Sequence, residues 1–95
     1  MRPDIRIEID VDRFGSVTVT ARREDVPNQG LLGPLVLVAC SASLTEGRYA
    51  ITAGPIGDPR VEIIKGSPFL VEATRARLVP IAHELKSLAL RPSLA

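Results

Sequence analysis

The sequence predicts an α+β domain: an antiparallel meander sheet of about five strands with one C-terminal helix packed on one face. Two observations support this prediction. Apolar and polar residues alternate in the N-terminal part, which is typical of strands with one solvated face. Beyond residues 66–68 the apolar residues recur every three or four positions, which indicates an amphipathic helix. The 95 residues are expected to form a single domain, 1–95, that is long enough to bury a core.

The first two strands are predicted to form a hairpin. Residues 4–12 and 17–22 both alternate apolar with polar side chains. Opposite residues of an antiparallel pair share a face, so the apolar positions of one strand must face the apolar positions of the other. The expected pairs are Val11 with Val17, Ile9 with Val19 and Ile7 with Ala21. This register leaves residues 13–15 as a three-residue loop, with Gly15 in the left-handed conformation.

Three further strands are expected downstream. Residues 25–34 contain several Pro and Gly and are predicted to form a loop. Residues 35–40 are apolar at every position, which is typical of a strand in the middle of a sheet. Residues 48–53 and 60–65 are the last two predicted strands. Because the connections between these strands are short, neighbouring strands are expected to be antiparallel, without a helical crossover.

The helix is predicted to follow the last strand. Ser67 is a favourable N-cap and Pro68 a favourable first helical residue. The apolar stripe consists of Val71, Thr74, Leu78, Ile81, Leu85 and Leu88. Pro80 interrupts the pattern, because a proline inside a helix removes a hydrogen bond and clashes with the preceding turn. Either the helix kinks at Pro80, which we favour, or it starts near Arg77 and residues 69–73 form a sixth strand.

Composition limits the classes of function. Twelve basic and eleven acidic residues nearly balance, so no long-range attraction to nucleic acid or to anionic lipid is expected. One Tyr, two Phe and no Trp disfavour a platform for base stacking. The longest apolar run is far shorter than the roughly 20 residues of a membrane span. The N-terminus does not resemble a signal peptide and there is one cysteine, so we expect a cytoplasmic protein.

Two sets of residues could carry chemistry, and each has a simpler structural interpretation. Cys40 could be a nucleophile, but its apolar surroundings predict a buried, inert thiol. The only histidine, His83, is expected on the polar side of the helix, and nothing places it near Cys40. No cofactor or metal site is predicted.

Three carboxylates form the second set. Glu8, Asp10 and Asp12 are expected on one strand face, where paired carboxylates could act in acid–base chemistry or hold a cation. Arg6 and Arg22 share that face and would neutralise them. A solvated strand face is therefore the preferred interpretation.

These observations favour a small non-enzymatic protein-binding or assembly module. The Arg-rich composition indicates a bacterial or phage source, and a phage or mobile-element accessory protein would fit. The alternative is a nucleic-acid-binding accessory domain. A third hypothesis is a small enzyme that uses Cys40 or the strand carboxylates.

A comparison of the two faces of the predicted sheet with the one face that the helix can cover predicts where a partner would bind. Residues 35–40 would be apolar on both sides of the sheet, whereas one helix covers one side only. The uncovered side predicts an interface that comprises Leu31, Leu32, Val36 and Val38. Its occupant would be another protein or a second copy of the chain, in the simplest case as a homodimer. A folded-back loop and closure of the sheet into a barrel remain open alternatives.

Overall fold

Four strands and two helices make up the part of the chain that the computed structural model describes, residues 4–22, 32–54 and 57–90. The strands are β1 (Ile5–Val11), β2 (Val17–Ala21), β3 (Gly47–Ala53) and β4 (Arg60–Lys65); the helices are α1 (Gly33–Ser41) and α2 (Val71–Leu90). The predicted α+β class is confirmed, with four strands instead of about five. The strands predicted at 48–53 and 60–65 are confirmed as β3 and β4.

The N-terminal hairpin has the predicted register. β1 and β2 are antiparallel, with Ile7 opposite Ala21, Ile9 opposite Val19 and Val11 opposite Val17. Gly15 has a φ of 84°, a conformation that glycine adopts without steric cost. The Asp12 carboxylate accepts hydrogen bonds from the backbone N–H groups of Phe14 and Ser16, both at 2.9 Å. This side chain therefore fixes the loop that sets the register.

The strand order is β2-β1-β3-β4, and every neighbouring pair is antiparallel. The sheet is therefore not a simple meander, because β1 lies between β2 and β3. Since both flanking strands run antiparallel to β1, they run parallel to each other. Two parallel strands need a crossover connection, and the chain between β2 and β3 contains α1.

The prediction of a strand at 35–40 is wrong, because these residues belong to α1. A short run that is apolar throughout fits a buried strand or a helix equally well by periodicity alone. Pro34 in the first turn is the signal that favours a helix. Leu35 and Ala39, one helical turn apart, are buried, whereas Leu37 is 71% exposed. The predicted loop at 25–34 lies mostly outside the described residues.

Both helices pack on the same face of the sheet. The odd-numbered positions of β1 and β3 point toward the helices, and the even-numbered positions form the opposite face, named the open face below. The core that results combines residues from the sheet and both helices: Ile7, Ile9, Val11, Leu32, Leu35, Ala39, Tyr49, Ile51, Ala53, Leu78, Ile81, Ala82 and Leu85. The helix layer leaves the open face uncovered by any described element.

The start of α2 differs slightly from the prediction. The Ser67 hydroxyl accepts a hydrogen bond from the backbone N–H of Phe69 at 3.3 Å, but this bond belongs to a turn that precedes the helix. The first helical hydrogen bond runs from the Thr74 N–H to the Leu70 carbonyl at 2.8 Å. Farther along, the central members of the predicted stripe are fully buried, namely Leu78, Ile81 and Leu85.

Pro80 lies inside α2, which continues on both sides of it. The alternative start near Arg77 and the sixth strand at 69–73 are therefore wrong. Pro80 leaves the Ala76 carbonyl without its helical donor. Both residues are exposed, so water can hydrate this carbonyl. The cost of the proline is thus reduced but not removed.

We expect Pro80→Ala to stabilise the protein by about 1–3 kcal/mol, since alanine restores the missing donor and relieves the clash. Urea denaturation followed by circular dichroism measures this change in the free energy of unfolding. The matched control is Ser87→Ala on the same helix, also exposed, which changes helix propensity alone by about 0.5 kcal/mol. A gain at Pro80 no larger than the gain at Ser87 would contradict the cost assigned to this proline.

Candidate functional site

The open face brings seven charged side chains of the described residues together on one surface of the sheet. It comprises Arg6, Glu8 and Asp10 from β1, Thr18, Thr20 and Arg22 from the β2 side, Arg48, Ala50 and Thr52 from β3, and Arg60 and Glu62 from β4. Ala50, in the centre, is 1% exposed because its longer neighbours cover it. The open face is thus a mixed-charge surface with a small residue at its middle.

Three ion pairs in the described part of the chain connect side chains of the open face, one within β1 and two between strands. Arg48 Nε donates to Asp10 Oδ1 at 2.7 Å, and Arg6 lies 3.8 Å from a Glu8 oxygen and 4.0 Å from a Glu62 oxygen. The hydrogen bond to Asp10, and then the charge of that carboxylate, raise the pKa of the Arg48 guanidinium above its ordinary value. The arginines and carboxylates of this face therefore neutralise one another, as the sequence predicts for Arg6, while Arg48 is an additional partner.

A solvent-open depression of about 520 Å³ lies at the β2 side of this face. It is lined by Arg6, Glu8, Thr20, Ala21 and Arg22. Two guanidinium groups could contact a carboxylate or a phosphate, but Glu8 already supplies a negative charge 3.8 Å from Arg6. The depression is suited to weak contacts with a polar surface.

The structure separates the three candidate carboxylates. Glu8 and Asp10 lie on the open face, whereas the Asp12 carboxylate accepts the hydrogen bonds that close the hairpin loop. Within the described ranges, no three His, Cys, Asp or Glu residues come together as a set of metal ligands. Glu8 and Asp10 of β1 thus form ion pairs, and Asp12, which follows β1, stabilises a turn.

Cys40 is exposed on α1, so the prediction of a buried thiol in a central strand is wrong. The helical geometry turns its side chain away from the core that Ala39 enters. The neighbouring Ser41 hydroxyl donates to the Leu37 carbonyl at 3.0 Å, a local bond within the helix. His83 is exposed on α2, as its position off the apolar stripe predicts.

The predicted interface residues have different surroundings. Leu31 lies outside the described residues, and Leu32 is a core residue that is 4% exposed. Val36 and Val38 are half-buried on α1, and Val38 packs against the core. The argument that predicted this interface assumed a strand at 35–40 with apolar side chains on both faces of the sheet. These residues form a helix instead, and the side of the sheet without a helix is the polar open face.

An apolar segment that ends at the first residue of α2 was not predicted as a surface feature. We name Phe69, Leu70 and Val71 the apolar turn; these residues are 92%, 42% and 37% exposed. The turn is closed by the Leu70 N–H, which donates to the Ser67 carbonyl at 3.3 Å. The sequence hides this feature because an apolar run at the start of a helix resembles the beginning of a buried stripe.

Comparison with models of protein families, with curated proteins and with solved structures finds no match to this chain. Neither of the two described helices has the length and apolar character needed to cross a bilayer.

We expect the native Cys40 thiol to react with a chromogenic disulfide reagent at a rate within about tenfold of the urea-unfolded rate, because the side chain is exposed. Stopped-flow absorbance at neutral pH measures both rates, and Cys40→Ala provides the blank. Native labelling slower by several orders of magnitude would show that the thiol is buried and would contradict its position on α1.

Proposed function

We propose that the chain is a small non-enzymatic module that binds a protein partner through the apolar turn. The exposure of Phe69 is the observation that supports this proposal most strongly, since it leaves 92% of a phenylalanine in water next to two further apolar residues. A cytoplasmic accessory protein of a phage or mobile element is the setting that its size, Arg-rich composition and lone cysteine suggest.

The energetics favour a contact at this position. Burying one large apolar side chain contributes about 1.5–3 kcal/mol. Aromatic residues dominate the energy of many interfaces. The turn is also held in place before binding, by the hydrogen bonds at Ser67 on one side and by α2 on the other. A partner would therefore lose little free energy in ordering this segment.

The other exposed phenylalanine gives a useful contrast. Phe14 is 80% exposed at the tip of the hairpin loop, and its ring centre lies 5.0 Å from the Arg13 guanidinium carbon. Its sequence neighbours in the loop are polar or glycine. A single exposed apolar residue is common and needs no partner. Phe14 therefore serves as a matched control for Phe69.

The arginines of the open face favour one alternative, nucleic-acid binding. Carboxylates alternate with them, however, and Arg6 and Arg48 form ion pairs with these carboxylates. Tight binding to phosphates needs an excess of positive charge, and the chain carries a net charge of +1. Protein binding through the apolar turn is thus the better-supported function.

The test compares Phe69→Ser with Phe14→Ser as immobilised baits for a lysate of the source organism. We expect a protein that binds the unmodified chain to be lost with Phe69→Ser, by about tenfold or more, and to be kept with Phe14→Ser. Quantitative mass spectrometry of the eluates measures the retained amount. Circular dichroism and thermal melts show whether both variants stay folded.

Three results would contradict the proposal. The first is equal retention by the two variants, which would place the contact elsewhere. The second is loss with Phe14→Ser alone. The third is the absence of any protein that distinguishes the unmodified chain from both variants.

A further inference from the structure

The two edges of the sheet differ in how they are protected. β4 carries three charged residues, Arg60, Glu62 and Lys65, and is preceded by Pro59. Its pairing with β3 is irregular where Arg48 meets Lys65. Charge, proline and bulges are the features with which proteins prevent strands from adding to an edge. β4 is thus a protected edge.

β2 has none of these features. Its five residues, Val17–Ala21, are Val, Thr, Val, Thr and Ala, with no charge and no proline. Its register with β1 is regular throughout. Valine and threonine also have high strand propensity. In the part of the chain that the structure describes, β1 is the only strand that pairs with β2.

The hairpin shows which backbone groups of β2 point outward. The Asp12 N–H donates to the Ser16 carbonyl at 3.1 Å, so these residues form a hydrogen-bonded pair. Bonded and non-bonded pairs alternate along an antiparallel ladder. Thr18 and Thr20 therefore bond to β1. The backbone N–H and C=O groups of Val17, Val19 and Ala21 point away from the sheet.

The helix above this edge adds apolar surface. α1 packs on β2 and buries Leu35 and Ala39. On its remaining surface, Val36 is half-buried, Leu37 is 71% exposed and Cys40 is exposed. Cys40 lies next to both Val36 and Leu37 on the helix surface, because positions three and four apart lie side by side.

We propose that two copies of this chain join through the edge of β2, antiparallel and about a two-fold axis at Val19, to form one continuous sheet. Around this axis Val19 faces its counterpart, Thr18 faces Thr20 of the partner copy, and Val17 faces Ala21. The outward backbone groups then pair with one another in about six hydrogen bonds. The two α1 helices lie on the same side of the extended sheet, where their exposed apolar residues extend the contact.

The chemistry of β2 specifies a second copy as the partner. The strand is complementary to itself: apolar residues meet apolar residues on the helix side, and threonines meet threonines on the open face. A two-fold axis at Glu62, next to the centre of β4, would place Glu62 opposite Glu62, which is repulsive. The inference goes beyond the proposed function, because it uses a different surface from the apolar turn.

Two double variants test the proposed register. Thr18→Lys with Thr20→Lys places lysine opposite lysine across the axis, twice. Thr18→Lys with Thr20→Glu places opposite charges there and keeps the same positions substituted. Both threonines are exposed on the open face, where Asp10 and Glu8 lie opposite them and tolerate a lysine. Arg6 and Arg22 line the same depression as Thr20 and offset the repulsion between Glu8 and a glutamate at position 20. Light scattering behind a sizing column and sedimentation velocity, at micromolar concentrations, measure the mass.

We expect the unmodified chain to have twice the monomer mass of 10.2 kDa. The lysine pair should raise the dissociation constant by at least about tenfold, and the lysine–glutamate pair should keep the dimer. Amide hydrogen exchange provides the second measurement: the N–H groups of Val17, Val19 and Ala21 should be protected in the dimer and exchange rapidly when the lysine pair separates it.

Other results would overturn the inference. We expect a sub-micromolar dissociation constant for this dimer. A chain that is still monomeric at 50 micromolar, about 100-fold above that constant, would exclude it. A dimer that persists with the lysine pair, or one in which Val19 exchanges rapidly, would place the contact elsewhere. Failure here leaves the proposed function standing, because Phe69→Ser tests a separate surface, and loss of binding at Phe69 leaves the mass unchanged.

Discussion

The hydrogen bonds that β1 makes on both of its edges hold this domain together. β1 pairs with β2 through residues 7–11 and with β3 through residues 5–11, so it fixes the positions of both neighbouring strands. The same strand directs Ile7, Ile9 and Val11 into the core. An interior strand with one apolar face fixes both the order of the sheet and the side on which the helices pack.

The position of β1 also explains which surfaces remain available. Because β2 and β3 run parallel on its two sides, α1 must cross over the sheet, and it joins α2 on the apolar face. The opposite face stays polar and is neutralised by pairs such as Arg48 with Asp10. The apolar turn at one end and the uncharged edge at β2 are then the features that favour protein contacts. A dimer formed through β2 would display two copies of the apolar turn, and a partner with two matching sites would bind both with increased avidity.

The sequence predicts the N-terminal hairpin, β3, β4 and the C-terminal helix, but neither α1 nor the order of the strands. The alternation in β1 and β2, together with Gly15, sets the hairpin register, because opposite residues must share a face. The run at 35–40 gives no such constraint, since it is apolar at every position. Its assignment as a strand produced the meander, the buried Cys40 and the predicted interface. The apolar turn depends on where α2 begins relative to the sheet, which periodicity alone does not specify.

The amide exchange and nuclear Overhauser effects of β1 test the central position of this strand most directly. In the observed strand order the N–H groups of Ile7 and Ile9 bond to β3, and Glu8 lies directly opposite Ala50. We therefore expect slow amide exchange at Ile7 and Ile9 and a strong nuclear Overhauser effect between the α-protons of Glu8 and Ala50. In a meander β1 would be an edge strand. Rapid exchange at Ile7 and Ile9 without that contact would contradict the account.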